Sequence, residues 1–129
     1  MTLNDMYEKL IEEYKSKTIG SKLIYERTLN VLPAGVTYAI RSLTSYPFYV
    51  KKASGPYIWD VDDNKYVDYW MGHGALILGH SFKPIVKAIK EQVELGSHYG
   101  YAHKLEVELA ELVSDIMPKR AVFWFYDFL

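Results

Sequence analysis

The residue pattern predicts an α+β protein: a helical arm, then a three-stranded antiparallel meander, then two amphipathic helices. Three observations carry that expectation. Apolar residues recur at helical spacing near the start of the chain. Short aromatic and β-branched runs, separated by turn residues, occupy 47–70. Two further apolar stripes of helical period follow, one closed by Gly96 and the other by Pro118. A chain of 129 residues suits one small domain with a modest core.

The arm is expected over 1–32. Leu3, Tyr7, Leu10, Ile11 and Tyr14 mark one helical face. Gly20 and Ser21 are expected to interrupt it, and a second helix is expected from Ser21 toward Asn30 with Leu23, Ile24 and Leu29 facing inward. Charged residues fill the outer face. Such an arm can lie on the surface or pack on a partner subunit. Pro33, Ala34 and Gly35 end it and open a central domain over 33–118. Arg41 then stands among small and apolar neighbours. Its planar fork suits a carboxylate, whereas a solvated surface arginine is the competing reading.

Strands are expected at Pro47–Lys52, Tyr57–Val61 and Lys65–Trp70, with turns at Ser54–Pro56 and Asp62–Asn64. Asp60, Asp62 and Asn64 imitate the opening of an EF-hand loop. That loop needs glycine at its sixth position and glutamate at its twelfth, and those places hold Lys65 and Met71. Calcium is rejected and the acids are read as turn chemistry. Gly72, Gly74 and Gly79 suggest close backbone approach to a ligand or another segment. They form no phosphate-binding fingerprint. His73, His80, His98 and His103 lack the spacing of a metal site, and no cysteine is present to help. Ser81 is expected to cap the first amphipathic helix, with Pro84 in its first turn. Glu106, Glu108 and Glu111 read as a solvated face of the second helix, not a catalytic pair. Residues 119–129 form an aromatic tail of different character.

A net charge of −1 gives no general attraction to nucleic acid or to an anionic membrane. The start of the chain lacks the apolar core of a signal peptide, and no apolar run is long enough to span a bilayer. The absence of cysteine fits a reducing compartment, so a cytoplasmic location is expected.

The stretch GPYIWDVDDNKYVDYWMGHGALILGH, flanked by LPAGVTYAIRS and EVELAELVSDIMP, closely resembles the N-terminal portion of class III (fold type I) pyridoxal-phosphate aminotransferases. Within them it is most similar to the glutamate-1-semialdehyde 2,1-aminomutase branch. The resemblance covers roughly residues 20 to 118 in one order. It implies part of the small domain of such an enzyme, often placed across a dimer interface, with the large α/β domain missing. Arg41 aligns with the arginine that faces the substrate carboxylate in the mutases. His73 lies where they usually carry an active-site tryptophan, a departure that bears against the mutase and leaves a related aminotransferase. Ala34 replaces the first glycine of a Gly-Gly pair, Asp63 replaces a turn glycine, and Pro84 sits one place late.

Members of the family are several times longer than this chain. After the position of Pro118 they carry a Ser-Gly-Thr-Glu-Ala turn for the cofactor phosphate, and later the aspartate and the Schiff-base lysine that hold and tune the cofactor. None of these is found in a matching context here. The resemblance therefore implies a truncated homologue, its tail written by a frame change, inactive alone and with doubtful binding of pyridoxal phosphate. Arg41 and His73 are its candidate substrate-binding residues, for an intact enzyme only. No catalytic, cofactor-binding or metal-binding residue is assigned. Self-association or a complementary aminotransferase chain is the expected partner, and a small amino acid the substrate only if the enzyme is intact. A non-catalytic interaction module and an unproductive gene remnant are the alternatives.

Overall fold

The structure is a computed structural model that describes residues 2–43 and 45–116. The expectations for the tail at 119–129 lie outside the described residues. The fold is α+β, with the elements in the predicted order. It divides into two compact units, residues 1–86 and residues 87 onward.

In the first unit, α1 (Leu3–Lys17) opens with a reciprocal capping box. The Thr2 hydroxyl accepts from the Asp5 N–H (3.2 Å) and the Asp5 carboxylate accepts from the Thr2 N–H (2.7 Å). The helix ends at Thr18, whose hydroxyl donates to the Tyr14 carbonyl at 2.7 Å. Helix α2 (Ile19–Thr28) begins immediately. The break therefore falls at Thr18, and Gly20 and Ser21 lie in the first turn of α2. Their N–H groups have no partner within the helix, and the Asp62 carboxylate accepts both, at 2.5 and 2.9 Å. The Ser21 hydroxyl donates to the same carboxylate at 3.0 Å. A Cβ on Gly20 would stand 2.8 Å from Asp62 Oδ1, so a side chain here would push against the carboxylate that caps the helix.

The inward face of α2 is only in part the predicted one, since of the three predicted residues Ile24 alone is half-buried. Leu23 is 58% exposed and Leu29 51%, while Ser21 is fully buried. Polar and aromatic residues make the contacts instead. Tyr46, the buried apolar residue at the centre, packs against the rings of Tyr14 and Tyr25 at centroid distances of 5.4 and 6.2 Å. Its hydroxyl meets that of Thr18 at 3.1 Å. The Tyr14 hydroxyl donates to the Tyr46 carbonyl at 2.8 Å, and burial pushes the Tyr14 phenol up to about 12.

The sheet is an antiparallel meander of β1 (Val50–Ser54), β2 (Tyr57–Asp60) and β3 (Lys65–Val67). Ser54 pairs with Tyr57 and Ile58 with Tyr66, and a bulge lies between Val50 and Lys52. The strands are shorter than predicted for identifiable reasons. Pro47 has no N–H, and the Tyr49 N–H is taken by the Ser21 hydroxyl (3.1 Å), so β1 starts at Val50. Strand β3 stops at Val67 because the Asp68 N–H still donates to the Pro56 carbonyl (2.8 Å) but Pro56 has no N–H to return the bond, while the Asp68 side chain binds the N–H groups of Trp70 and Met71.

The acids between β2 and β3 are turn chemistry. Asp60 is fully buried and accepts from the Asp62 N–H, the Asn64 N–H, the Asn64 amide and the Tyr66 hydroxyl at 2.8–3.0 Å. Burial, with the bond to Asp60, raises the Tyr66 phenol. Asp63 occupies the left-handed region (φ 68°), as an aspartate in place of a turn glycine can. Among the described residues no cluster of histidine, aspartate and glutamate could hold a metal ion.

Helix α3 (Lys83–Leu95) does not take Ser81 as its cap. Ser81 is left-handed (φ 54°) and its hydroxyl donates instead to the Ala53 carbonyl of β1 at 3.0 Å. In the second unit Gly96 ends α3 at φ 122°, and the Tyr99 hydroxyl donates to the Leu95 carbonyl at 2.9 Å. Helix α4 (Lys104–Ile116) begins with a capping box built on a histidine. His103 Nδ1 accepts from the Leu105 N–H (3.3 Å) while Glu106 accepts from the His103 N–H (3.0 Å). The apolar stripes of both helices are open, with Ile89 61% and Leu112 57% exposed. Among the described residues no helix is long and apolar enough to cross a membrane.

Replacing Asp62 by Ala should cost about 1–2 kcal/mol, the upper range for a helix N-cap, read by denaturant unfolding. Burial works to raise the Asp62 carboxyl, but the Gly20 and Ser21 hydrogen bonds and the Lys51 charge outweigh it and hold it below the usual range. Its stabilisation is therefore complete above the unfolded value of about 3.9 and is lost as pH falls through the lower folded value. The Asp62→Ala protein should lack that portion of the acid dependence.

Candidate substrate-side site

The glycine-bracketed run after β3 closes back on the hairpin turn of the meander. Gly55 and His80 exchange both backbone hydrogen bonds, at 2.8 and 2.9 Å. A Cβ on Gly79 would lie 3.1 Å from the Gly55 Cα, and Gly79 has φ 82°. The close backbone approach expected from the glycine density is thus found at Gly79 and is to another segment of the chain, whereas a Cβ on Gly74 would meet nothing within 4 Å.

Four consecutive residues then take left-handed angles: Met71 (φ 47°), Gly72 (59°), His73 (62°) and Gly74 (80°). The Gly74 N–H donates to the Trp70 carbonyl at 3.0 Å and the Leu76 N–H to the Met71 carbonyl at 3.0 Å, closing a compact turn. Two of the four carry side chains, and each costs about 1–2 kcal/mol in this conformation. The turn is held at its entrance by Asp68. One carboxylate oxygen accepts from the Trp70 and Met71 N–H groups (2.8 and 3.0 Å), and the other meets His80 Nε2 at 2.7 Å. The bond to His80, with the Met71 N–H, keeps the Asp68 carboxyl below the usual carboxylate range.

The structure places His73 at the apex of this turn, exposed, with its ring edge-on to Trp70 at 4.8 Å and 6.2 Å from the ring of Tyr38. Tyr38 precedes the 3-10 turn Ala39–Arg41 that carries the other candidate. Arg41 is exposed and its Nη1 donates to the Thr37 hydroxyl at 2.8 Å. Tyr38 is thus the link between the two candidates. Asp68, His80, Tyr38 and Trp70 were not singled out for this site by sequence reasoning. His80 was weighed only as a metal ligand, although an aspartate at a strand end before a glycine run is itself a turn-capping signal.

The described residues do not fit a whole pyridoxal-phosphate site. A phosphate needs free N–H groups such as those of a helix N-terminus. In α1, α2 and α4 one or two of these donors are already bound, by Thr2, Asp62 and His103. Helix α3 has a proline in its first turn, which removes a donor. Every described lysine is exposed.

A profile of the family described as Aminotransferase class-III matches residues 38–126, more than half of the chain. The chain belongs to the class-III aminotransferase family. The match runs past the described residues and includes part of the tail. A glutamate-1-semialdehyde 2,1-aminomutase of Methanothrix thermoacetophila is 44% identical over 99 residues, covering 77% of this chain and 23% of that protein. An omega-transaminase from Sphaerobacter thermophilus superimposes with a TM-score of 0.73 at 31% identity, over 76% of this chain and 22% of the other. A β-phenylalanine aminotransferase from Variovorax paradoxus gives 0.85 at 20% identity over 91% of this chain and 27% of the other, which shows a shared fold. The chain spans about a quarter of the length of these proteins.

Replacing His73 by Gly should leave stability unchanged or raise it by up to about 1 kcal/mol, because the left-handed cost disappears while unfolded-state freedom increases. Thermal unfolding of the two proteins would show it. A clear loss of stability would mean that His73 packing outweighs the strain.

Proposed function

We propose that this chain supplies the N-terminal, substrate-side part of a pyridoxal-phosphate enzyme that moves an amino group, and that the 129 residues alone do not catalyse the reaction. The family match over 38–126 carries this reading. The cofactor supplies the electron sink for amino-group chemistry when bound, and its seat and its lysine belong to sequence beyond these residues. Arg41 binds a substrate carboxylate, its remaining guanidinium donors being free of any carboxylate among the described residues. His73 lines the same side. Its place where the mutases usually carry a tryptophan favours a related aminotransferase over the mutase. The open stripes of α3 and α4 support a partner, either a second copy or a chain carrying the rest of the enzyme.

A titration with pyridoxal phosphate tests the reading. The chain alone should give no stoichiometric visible band that borohydride fixes to one lysine. Such a band would overturn the claim that it is inactive alone. Mixed with a polypeptide carrying the downstream family domain, it should gain cofactor binding and amino-group transfer. In that assembly Arg41→Ala should raise KM for a carboxylate substrate about tenfold or more, in line with a lost charge-assisted bond. The second reading, a non-catalytic interaction module, rests on the same exposed stripes and would lead if no such mixture binds cofactor.

A further inference from the structure

We propose that Asp68 and His80 are positioning residues: their hydrogen-bonded pair locks the left-handed Met71–Gly74 turn and so fixes where the His73 imidazole stands. The pair is set into the first unit, with side chains 11% and 18% exposed. Each partner is tied independently to the meander. The Asp68 N–H donates to the Pro56 carbonyl at 2.8 Å, and His80 is paired to Gly55 through its backbone. Ser81, next along, is bonded to Ala53. The two ends of the 68–80 segment are thereby pinned to one hairpin, and the side chains bridge them at 2.7 Å.

The turn needs such a device. Met71 and His73 both hold angles that L-residues avoid, and strain of that kind persists only where the surroundings over-determine it. The bonds inside the turn engage Trp70 and Met71 only through their carbonyls, and the N–H groups of those two residues have Asp68 as acceptor. Asp68 in turn is oriented by His80 Nε2, which donates to the ionised carboxylate. Loss of either side chain frees the entrance, lets Met71 and His73 return to right-handed or extended angles, and carries the imidazole away from Trp70. Gln at position 80 can present an amide N–H near the place of Nε2 and keeps the lock. The consequence for chemistry rests on the aminotransferase reading, whereas the position of the ring can be measured in this chain by itself.

The experiment is proton NMR of the 129-residue chain, reading cross-relaxation between the His73 ring protons and the Trp70 indole, with the Tyr57 and Trp59 resonances of the meander as internal control. The unsubstituted chain and His80→Gln should show the His73–Trp70 contact. Asp68→Ala and His80→Ala should lose it while the meander resonances stay in place. Persistence of the contact in both alanine variants would overturn the proposal, as would its loss in His80→Gln with the meander intact. Collapse of the meander in both alanine variants would also overturn it, since the pair would then support the whole unit and not the turn. A locked ring in a chain that never gains cofactor binding with the downstream domain would leave the device standing and remove the aminotransferase reading.

Discussion

The first unit depends on one carboxylate. Asp62, in the turn between β2 and β3, satisfies the first N–H groups of α2 and the Ser21 hydroxyl together. Ser21 in turn holds the Tyr49 N–H at the entry to β1. A helix end left open would keep its donors in water, so this contact decides where α2 starts and which meander turn it faces. It also explains the buried Asp60. Four donors converge on that residue and shape the loop that aims Asp62 at the helix.

Hydrophobic burial normally dominates folding, yet in this chain Tyr46 is the buried apolar residue among those described. Order is kept instead by side chains that bind backbone. Thr18, Asp60, Asp62, Asp68 and Thr28 each engage backbone groups of their own or a neighbouring segment. Such bonds contribute about 1 kcal/mol each, net of those given up to water. They specify geometry well and stabilise it modestly. The exposed leucines and isoleucines of α2, α3 and α4 are the complement of that economy, apolar faces without a cover inside the described chain.

Much of this was legible in the residues. Helical period located α1, α3 and α4 because long apolar stripes are a strong signal, and the turn acids of 60–64 were recognisable because an EF-hand was incomplete at Lys65 and Met71. The start of α2 was not legible. Gly20 and Ser21 look like breakers until Asp62, distant in sequence, is placed beside them. Ser81 resembles an N-cap locally but spends its hydroxyl on Ala53, a tertiary choice that no window of sequence contains. Of the candidate site, Arg41 was visible in the residues as a candidate carboxylate clamp, and only family resemblance gave His73 a place beside it. The strain around His73 was hidden because backbone sign is not written in a histidine.

The polar latch of the first unit has a consequence for how the protein is made. Its bonds join Tyr14, Thr18, Ser21, Tyr46, Asp62, Asp68 and His80, all within the first 81 residues. Synthesis proceeds from the N-terminus, and segments with internally closed contacts can fold as units while the chain grows. The arm and meander can therefore assemble on the ribosome before α3 and α4 have been translated. The first unit would then be a finished platform while those two helices are still being made.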